Sequence, residues 1–192
     1  MTTKNGLPLR LHHHAWVVDD LEVNRRFYED VIGLPLVATW TETDELFGAE
    51  RVYCHTFFGI ADGGALAFFQ FANPEDTKLF KTEINFTPWR HIALKVDQEQ
   101  QDALRERFAE AGYVEPDTFT VDHGYCVSLY ITDPNGLQLE FVVDPPDVEA
   151  IDAERRRTAH EDLARWLGGD HSSNNAWRPS DAQDRPNARN DR

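Results

Sequence analysis

The chain has 192 residues, which is enough for one domain with a sizeable core or for two small fused modules. Its composition, with 41% hydrophobic and 28% charged residues, is that of a soluble globular protein. The net charge of -15 argues against binding to nucleic acid, and no apolar run is long enough to span a bilayer. The N-terminal residues carry no basic-then-apolar signal, so we expect a cytoplasmic protein that contacts neither nucleic acid nor membrane.

The first predicted element is a strand at 9–18, which follows a flexible lead-in at 1–8. Apolar and polar residues alternate along this strand, so its two faces differ. His13 shares one face with apolar residues, whereas His12 and His14 lie on the other. We therefore expect the face that carries His13 to be interior.

A helix and three further strands are predicted next. Asp19 and Glu22 have the spacing of an N-cap and its capping-box partner, and Gly33 ends the helix. An apolar stripe runs along the helix at Val23, Phe27 and Val31. Strand-like runs follow at 36–42, 52–60 and 65–71.

A second copy of this pattern begins at residue 89 and aligns with the first at an offset of 78 residues. The matched pairs are His13 and His91, Ala15 and Ala93, Val18 and Val96, and Asp19 and Asp97. Asp97 and Gln100 again predict a capped helix, and three strand-like runs follow it. An internal duplication of this kind indicates a fold more strongly than any single motif.

The duplication predicts an α+β fold with two tandem βαβββ modules and a C-terminal helix. The predicted segments are the first module at 9–72, an irregular linker at 73–88, the second module at 89–143, the C-terminal helix at 144–168 and a disordered tail at 169–192. The tail is assigned as disordered because it is rich in Asp, Asn, Ser, Pro and Arg.

The last two strands of the second module are joined by a segment whose residue types predict a tight turn. Residues 133–136 read Asp-Pro-Asn-Gly, in which Pro suits a first central position and Gly136 a left-handed one. A three-residue loop ending in Gly136 places Asp133 opposite Leu137. Counting outward, Tyr130 then lies opposite Glu140, and their side chains share one face.

Three residues on three different strands have the chemistry of a metal site. His13, His91 and Glu140 supply two imidazoles and one carboxylate, which is the facial triad of a mononuclear non-haem Fe(II) centre. Mn(II), Zn(II) or Ni(II) also fits these ligands. A lone strand histidine is more often a core or surface residue, but two at matched positions of a repeat favour ligands. The repeat aligns His14 with Ile92, which favours His13 over its neighbours.

On these features, residues 9–143 resemble the vicinal oxygen chelate superfamily, which includes glyoxalase I, fosfomycin- and bleomycin-resistance proteins and type I extradiol dioxygenases. The resemblance implies a cupped mixed β-sheet, built from paired βαβββ modules, around a metal site. It also implies that the metal ligands lie on the first strand of each module and on the last strand of one or both.

A narrower resemblance rests on His123, Tyr130, the turn at 133–136 and Glu140, which together are similar to the extradiol dioxygenase signature. It implies that Glu140 is a metal ligand, that Tyr130 hydrogen-bonds a substrate oxygen and that His123 positions or protonates one. Many members of the superfamily share the turn and Glu140. His123 and Tyr130 are therefore the residues by which the sequence resembles extradiol dioxygenases rather than other members of the superfamily.

The sequence departs from that signature on the strand before the second ligand histidine. Extradiol enzymes carry a further histidine there for proton transfer, whereas residues 65–71 contain none. His55, one strand earlier, is the candidate replacement. Gln70 stands where the glyoxalase-like four-ligand arrangement has an acidic residue, and a neutral amide cannot take a substrate proton.

The resemblance therefore implies an Fe(II)-dependent extradiol dioxygenase that opens a catechol-type ring, a reaction of aromatic compound catabolism. Its partners are then a small aromatic diol and O2, and a homodimer is possible. One alternative is another metal-dependent enzyme of the superfamily, namely a lyase, isomerase or thiol transferase. The other is a protein that sequesters an aromatic compound, as in the bleomycin-resistance branch.

Overall fold

The computed structural model describes residues 8–82 and 89–178. The chain divides into two compact units. The first unit comprises Met1–Phe86 and Asp133–Leu137, and the second comprises Thr87–Thr132 and Gln138–Arg192.

The described part of the first unit contains a four-stranded mixed sheet. Its elements are β1 (His13–Val17), α1 (Leu21–Arg25, continuing as a π-helical segment over Arg26–Ile32), β2 (Leu36–Leu46), β3 (Ala49–Gly59) and β4 (Ala65–Phe71). The strand order is β1-β4-β3-β2. β1 is parallel to β4, and the other neighbours are antiparallel.

The described part of the second unit repeats this topology. Its elements are β5 (His91–Lys95), α3 (Gln98–Glu110), β6 (Thr118–Asp122), β7 (Val127–Thr132), β8 (Gln138–Val143) and α4 (Val148–Leu167). The strand order is β5-β8-β7-β6, again with the first strand parallel to the last. The predicted α+β fold with tandem βαβββ modules and a C-terminal helix is confirmed.

A short helix lies in the segment that was predicted to be an irregular linker. Helix α2 (Pro74–Phe80) begins after Asn73, whose side chain accepts a hydrogen bond from the backbone N–H of Glu75. Proline at the first helical position lacks the N–H that a helix start would leave unpaired, so it suits this place. Residues 83–88 of the predicted linker lie outside the described residues.

The core of the first unit lies between the sheet and the helical segment at 21–32. Phe58 and Phe68 face Tyr28, with ring centroids 5.5 and 4.6 Å from that of Tyr28. Trp16 of β1 packs on Phe68, so this is the face that the helix covers. His13 is on the opposite face and is exposed, and the expectation that its face is interior is therefore wrong.

The start of α1 also differs from the prediction. Asp20, not Asp19, is the N-cap, because its extended backbone lets its carboxylate accept from the N–H groups of Glu22 and Val23. The buried positions of the helical segment are Asn24, Phe27, Tyr28 and Ile32, whereas Val23 is 47% exposed. Gly33 ends the segment in a left-handed conformation, as predicted.

The structure describes residues 169–178, which follow α4 and belong to the predicted tail. Helix α4 ends at Gly168, and residues 169–178 continue as described chain. Arg165 donates to Ser172 and pairs with Asp170 at 3.1 Å, which fixes the first residues after the helix. The remainder of the predicted disordered tail, 179–192, lies outside the described residues.

Candidate metal and catalytic site

The hairpin of β7 and β8 has the predicted register. Tyr130 pairs with Glu140, and the N–H of Asp133 donates to the carbonyl of Leu137 at 2.8 Å. Gly136 has a φ of 88°, which only glycine adopts without strain. Turn chemistry and strand alternation therefore bring the Tyr130 hydroxyl and the Glu140 carboxylate to one face.

Four side chains of the second unit form a continuous chain of polar contacts on that face. His91 Nε2 lies 2.8 Å from Glu140 Oε2. The Tyr130 hydroxyl donates to Glu140 Oε1 at 2.9 Å, and His123 Nε2 lies 3.1 Å from the same hydroxyl. Since the single phenolic proton is given to Glu140, the Tyr130 oxygen accepts from His123, whose Nε2 therefore carries a proton.

The contact network is largely buried but open at one end. Tyr130 and Glu140 are each 6% exposed and His123 is 8% exposed, whereas the His91 side chain is 32% exposed. Phe119 stacks on Tyr130. A cavity of about 310 Å³ adjoins the network and is lined by Trp89, His91, Phe119, His123, Tyr125, Tyr130, Glu140, Asn175 and Arg178. A small molecule can therefore approach His91 and Glu140 from the open end.

His91 and Glu140 fit the requirements of a divalent metal. Two ligand atoms that are each about 2.1 Å from one ion and about 90° apart are separated by about 3.0 Å. The separation of His91 Nε2 and Glu140 Oε2, 2.8 Å, is close to this value. Tyr130 holds the other oxygen of Glu140, as partners of ligating carboxylates commonly do.

The third predicted ligand, His13, belongs to the first unit. Within the described residues of each unit, no group of three or more His, Cys, Asp or Glu side chains is placed to hold a metal ion. His13 Nδ1 lies 2.8 Å from His12 Nδ1, and its ring centroid is 6.1 Å from that of His55. His14 lies on the helix-covered face with Trp16, as the alternation predicted.

His55, the predicted replacement for the missing proton-transfer histidine, shares the open face of the first sheet with His13. Its ring stacks on Phe69 with centroids 3.6 Å apart. Burial, and secondarily the neighbouring His13, lowers the pKa of His55. Its Nε2 is buried and has no hydrogen-bond partner among the described residues. His55 is therefore placed beside His13 and favours the neutral form.

The strand register changes the interpretation of Gln70. His91 pairs with Gln138 and Ala93 with Glu140, while His13 pairs with Ala65 and Ala15 with Ala67. The first-module counterpart of Glu140 is consequently Ala67. Gln70 lies three residues further along, where its Oε1 accepts from the N–H of Leu21 at 3.0 Å. Gln70 thus stabilises the start of α1, and Ala67 leaves the first module without a carboxylate at the matched position.

Two features of the site have little or no signal in the sequence. Gln138 pairs with His91 and shares the face of Glu140, and its amide, which is 1% exposed, is unpartnered among the described residues. Asn175, Trp177 and Arg178 line cavities beside Glu140 although they follow α4. A tryptophan within a polar stretch was the one sign that this stretch packs against the protein.

Comparisons with known proteins agree with the fold. A family model described as "Glyoxalase/Bleomycin resistance protein/Dioxygenase superfamily" matches residues 10–141. A lactoylglutathione lyase of Haemophilus influenzae is 28% identical over 134 residues, which cover 70% of this chain and 92% of the relative.

Two crystal structures of the fosfomycin resistance protein FosX from Listeria monocytogenes are also similar. The monoclinic form at pH 6.5 is 18% identical with a TM-score of 0.51, covering 76% of this chain and 98% of that chain. A variant in complex with Mn(II) and 1S,2S-dihydroxypropylphosphonic acid is 19% identical with a TM-score of 0.53, covering 75% of this chain and 99% of that chain. Among the described residues of the present chain, no helix combines the length and apolarity needed to cross a membrane.

Proposed function

Since the chain belongs to the glyoxalase/bleomycin resistance protein/dioxygenase superfamily, we propose that it is a divalent-metal enzyme whose small substrate presents two neighbouring oxygens. The proposed reaction needs no dioxygen and is that of a lyase, isomerase or transferase. A lactoylglutathione lyase is among the relatives, and this supports the oxygen-independent reaction. The observation that carries the proposal is the 2.8 Å approach of His91 Nε2 to Glu140 Oε2.

In this proposal, His91 and Glu140 bind the metal together with His13 of the first module. His13 is included because the duplication matches it to His91. A bound divalent ion would act as a Lewis acid on the substrate oxygens. Mn(II), Ni(II), Zn(II) and Fe(II) are all suited to two imidazoles and a carboxylate, and a FosX structure holds Mn(II).

Tyr130 and His123 orient Glu140 and handle protons beside it. Tyr130 donates to the carboxylate oxygen that does not face His91, which leaves Oε2 for the metal. The Nε2–H of His123, 3.1 Å from the Tyr130 oxygen, can stabilise the phenolic oxygen by a hydrogen bond when Tyr130 gives its proton away. Since Ala67 supplies no carboxylate at the matched position of the first module, this proposal assigns proton transfer beside Glu140 to Tyr130, assisted by His123.

A second candidate function is Fe(II)-dependent extradiol ring cleavage of a catechol-type substrate with O2. The hydrogen-bonded pair of His123 and Tyr130 beside Glu140 favours it, because these are the residues that resemble the extradiol signature. Against it, the strand at Ala65–Phe71 supplies no proton-transfer histidine. His55, on the neighbouring strand, would have to take that role.

The two reactions are separated by metal reconstitution under anaerobic conditions, followed by assays with and without air. We expect about one Mn(II), Ni(II) or Fe(II) per chain. We also expect no oxygen uptake across a catechol panel, with turnover of small molecules that carry paired oxygens in the absence of air. Oxygen uptake with a yellow ring-fission product in the Fe(II) form would instead establish the dioxygenase.

The ligand set is tested by single alanine substitutions. His13→Ala, His91→Ala and Glu140→Ala should each abolish stoichiometric Mn(II) binding in calorimetry. His14→Ala is the matched control, since its ring packs on Trp16 on the helix-covered face. Retention of affinity in His13→Ala would remove that residue from the site. A homodimer stays a prediction from the family resemblance, and sedimentation velocity of the metal-loaded protein measures it.

A further inference from the structure

The C-terminal arm, defined as residues 148–178, lies beyond residue 141, where the match to the family model ends. The arm is nevertheless attached to the candidate site. Asn175 Nδ2 donates to the backbone carbonyl of His123 at 2.9 Å. The backbone of Trp177 lies so close to Gly124 that a Cβ at Gly124 would collide with the Trp177 carbonyl group. The arm is therefore seated on the segment that carries His123.

A second and larger cavity lies under this arm. Its volume is about 530 Å³, within the range of small-molecule sites. Its lining includes Tyr125, Glu140, Val142, Val148, Ile151 and Trp177. Because Tyr125, Glu140 and Asn175 line both cavities, the larger cavity adjoins the smaller one at the proposed metal ligand Glu140.

The wall of the larger cavity favours a neutral, apolar occupant. Val142 of β8, Val148 and Ile151 of α4, and the Trp177 ring supply apolar surface from three elements. The carboxylates of Glu140, Asp144 and Asp152 also line this wall, and their negative charge repels an anion. Arg155 does not reverse this charge, since its guanidinium lies 4.9 Å from the centre of the Trp177 ring and ion-pairs with Asp162 at 3.6 Å.

We propose that the larger cavity binds a neutral, apolar substituent, about the size of an aromatic ring, on the substrate whose paired oxygens lie at His91 and Glu140. Trp177 is the residue that selects for this substituent. The inference rests on the proposed metal-dependent function. It adds a substrate class: molecules that carry two adjacent oxygens at one end and an uncharged apolar body at the other.

Two hydroxamic acids test this inference without turnover, since a hydroxamate offers two adjacent oxygens to a metal. Acetohydroxamic acid carries a methyl group and benzohydroxamic acid a phenyl ring. Titration calorimetry on the Mn(II)-loaded full chain should give at least about tenfold tighter binding of the phenyl compound, because a fitted apolar group is worth about tenfold or more.

Substitutions in the arm distinguish its contribution to hydroxamate binding from that of the metal. Trp177→Ala should weaken benzohydroxamic acid about tenfold and leave the affinities for acetohydroxamic acid and Mn(II) unchanged. Val148→Phe fills the cavity without removing an arm contact and should give the same result. Leu163→Ala is the matched control, because Leu163 lies on α4, is 55% exposed and lines neither cavity.

The outcomes distinguish the two proposals. If neither hydroxamate nor Mn(II) binds wild-type protein, the proposed function fails. If acetohydroxamic acid binds but the preference for the phenyl compound is absent, or persists in both Trp177→Ala and Val148→Phe, the inference about the arm is overturned while the metal site stands.

Discussion

At the scale of single residues, Glu140 is the centre of the site because each of its oxygens has a different partner. His91 faces Oε2, and Tyr130 donates to Oε1. Removing one partner from a buried carboxylate changes the orientation and basicity of the oxygen that remains for the metal. Glu140 therefore depends on Tyr130 as well as on the proposed ligands.

Tyr130→Phe tests this dependence. The substitution removes the hydroxyl and keeps the ring, which stacks on Phe119. We expect about a 10- to 100-fold loss of Mn(II) affinity or of activity, the usual effect of losing a partner of a metal ligand. Tyr53→Phe is the control, since it removes the same group from surface contacts with Glu42 and Asp44. Equal Mn(II) affinity and equal turnover in both variants would exclude a role for the Tyr130 hydroxyl.

At the scale of elements, the turn between β7 and β8 is anchored by a buried carboxylate. Asp133 Oδ1 accepts from the N–H groups of Asn135 and Leu137. Its Oδ2 accepts from the Tyr28 hydroxyl at 2.9 Å. Asn135 also donates to Asn24 Oδ1 at 2.7 Å, so the turn is bonded to the helical segment of the first module. Both strands that leave this turn carry site residues.

Tyr28→Phe should weaken this anchor. Tyr28 and Asp133 are 0% and 4% exposed, so the substitution leaves a buried carboxylate oxygen with one donor fewer. We expect the free energy of unfolding to fall by about 1–3 kcal/mol. Urea unfolding monitored by circular dichroism measures it, with Tyr53→Phe, which removes a hydroxyl with solvent-exposed hydrogen bonds, as a counterpart that should cost much less. Equal stability of the two variants would show that the buried hydrogen bond contributes nothing net.

The buried carboxyl group of Asp133 should also make the stability of the protein depend on pH. Burial raises the pKa of Asp133, and its hydrogen bonds to Asn135, Leu137 and Tyr28 only partly oppose this effect. A folded-state pKa above the unfolded value of about 3.9 means that the contribution of Asp133 to stability is fully present below that pH. This contribution declines as the pH rises through the folded-state pKa.

Asp133→Asn removes this titration. We expect its destabilising effect, relative to wild type, to be smaller at pH 7 than at pH 4.5, because wild type alone loses the contribution as the pH rises. Urea unfolding of both proteins at the two pH values gives the comparison, and other titrating groups cancel in the difference. A penalty that is larger at pH 7 would show that the pKa of Asp133 is lowered on folding.

At the scale of the whole molecule, ligand binding and stability are linked. A divalent metal that binds the folded chain alone stabilises it by about 2.7 kcal/mol at 100 times its dissociation constant. For a chain of this length, that corresponds to a rise in Tm of about 5–10 °C. We expect Mn(II) to produce this rise, EDTA to reverse it and His91→Ala to abolish it, as scanning calorimetry would show. An unchanged Tm in wild type would contradict the metal site.

The duplicated α+β topology and the relation of Tyr130 to Glu140 were determined by the sequence alone. Both depend on local rules: turn chemistry sets the register of a hairpin, and alternation sets which residues share a face. The capping box at Asp97 and Gln100 was also predicted, because it involves neighbours in the sequence. The placement of His91 beside Glu140 depends instead on the parallel pairing of β5 with β8, which are distant in the sequence.

Only the tertiary structure decided which face of each sheet the helices cover, and so placed His13 on the open side. Periodicity cannot decide this, because it groups residues by face without showing what packs on them. The structure also assigned Gln70 to the start of α1 and Ala67 to the position matching Glu140. It placed Trp177 beside the site. The sequence could not show this position, because contacts between residues distant in the chain leave no local pattern.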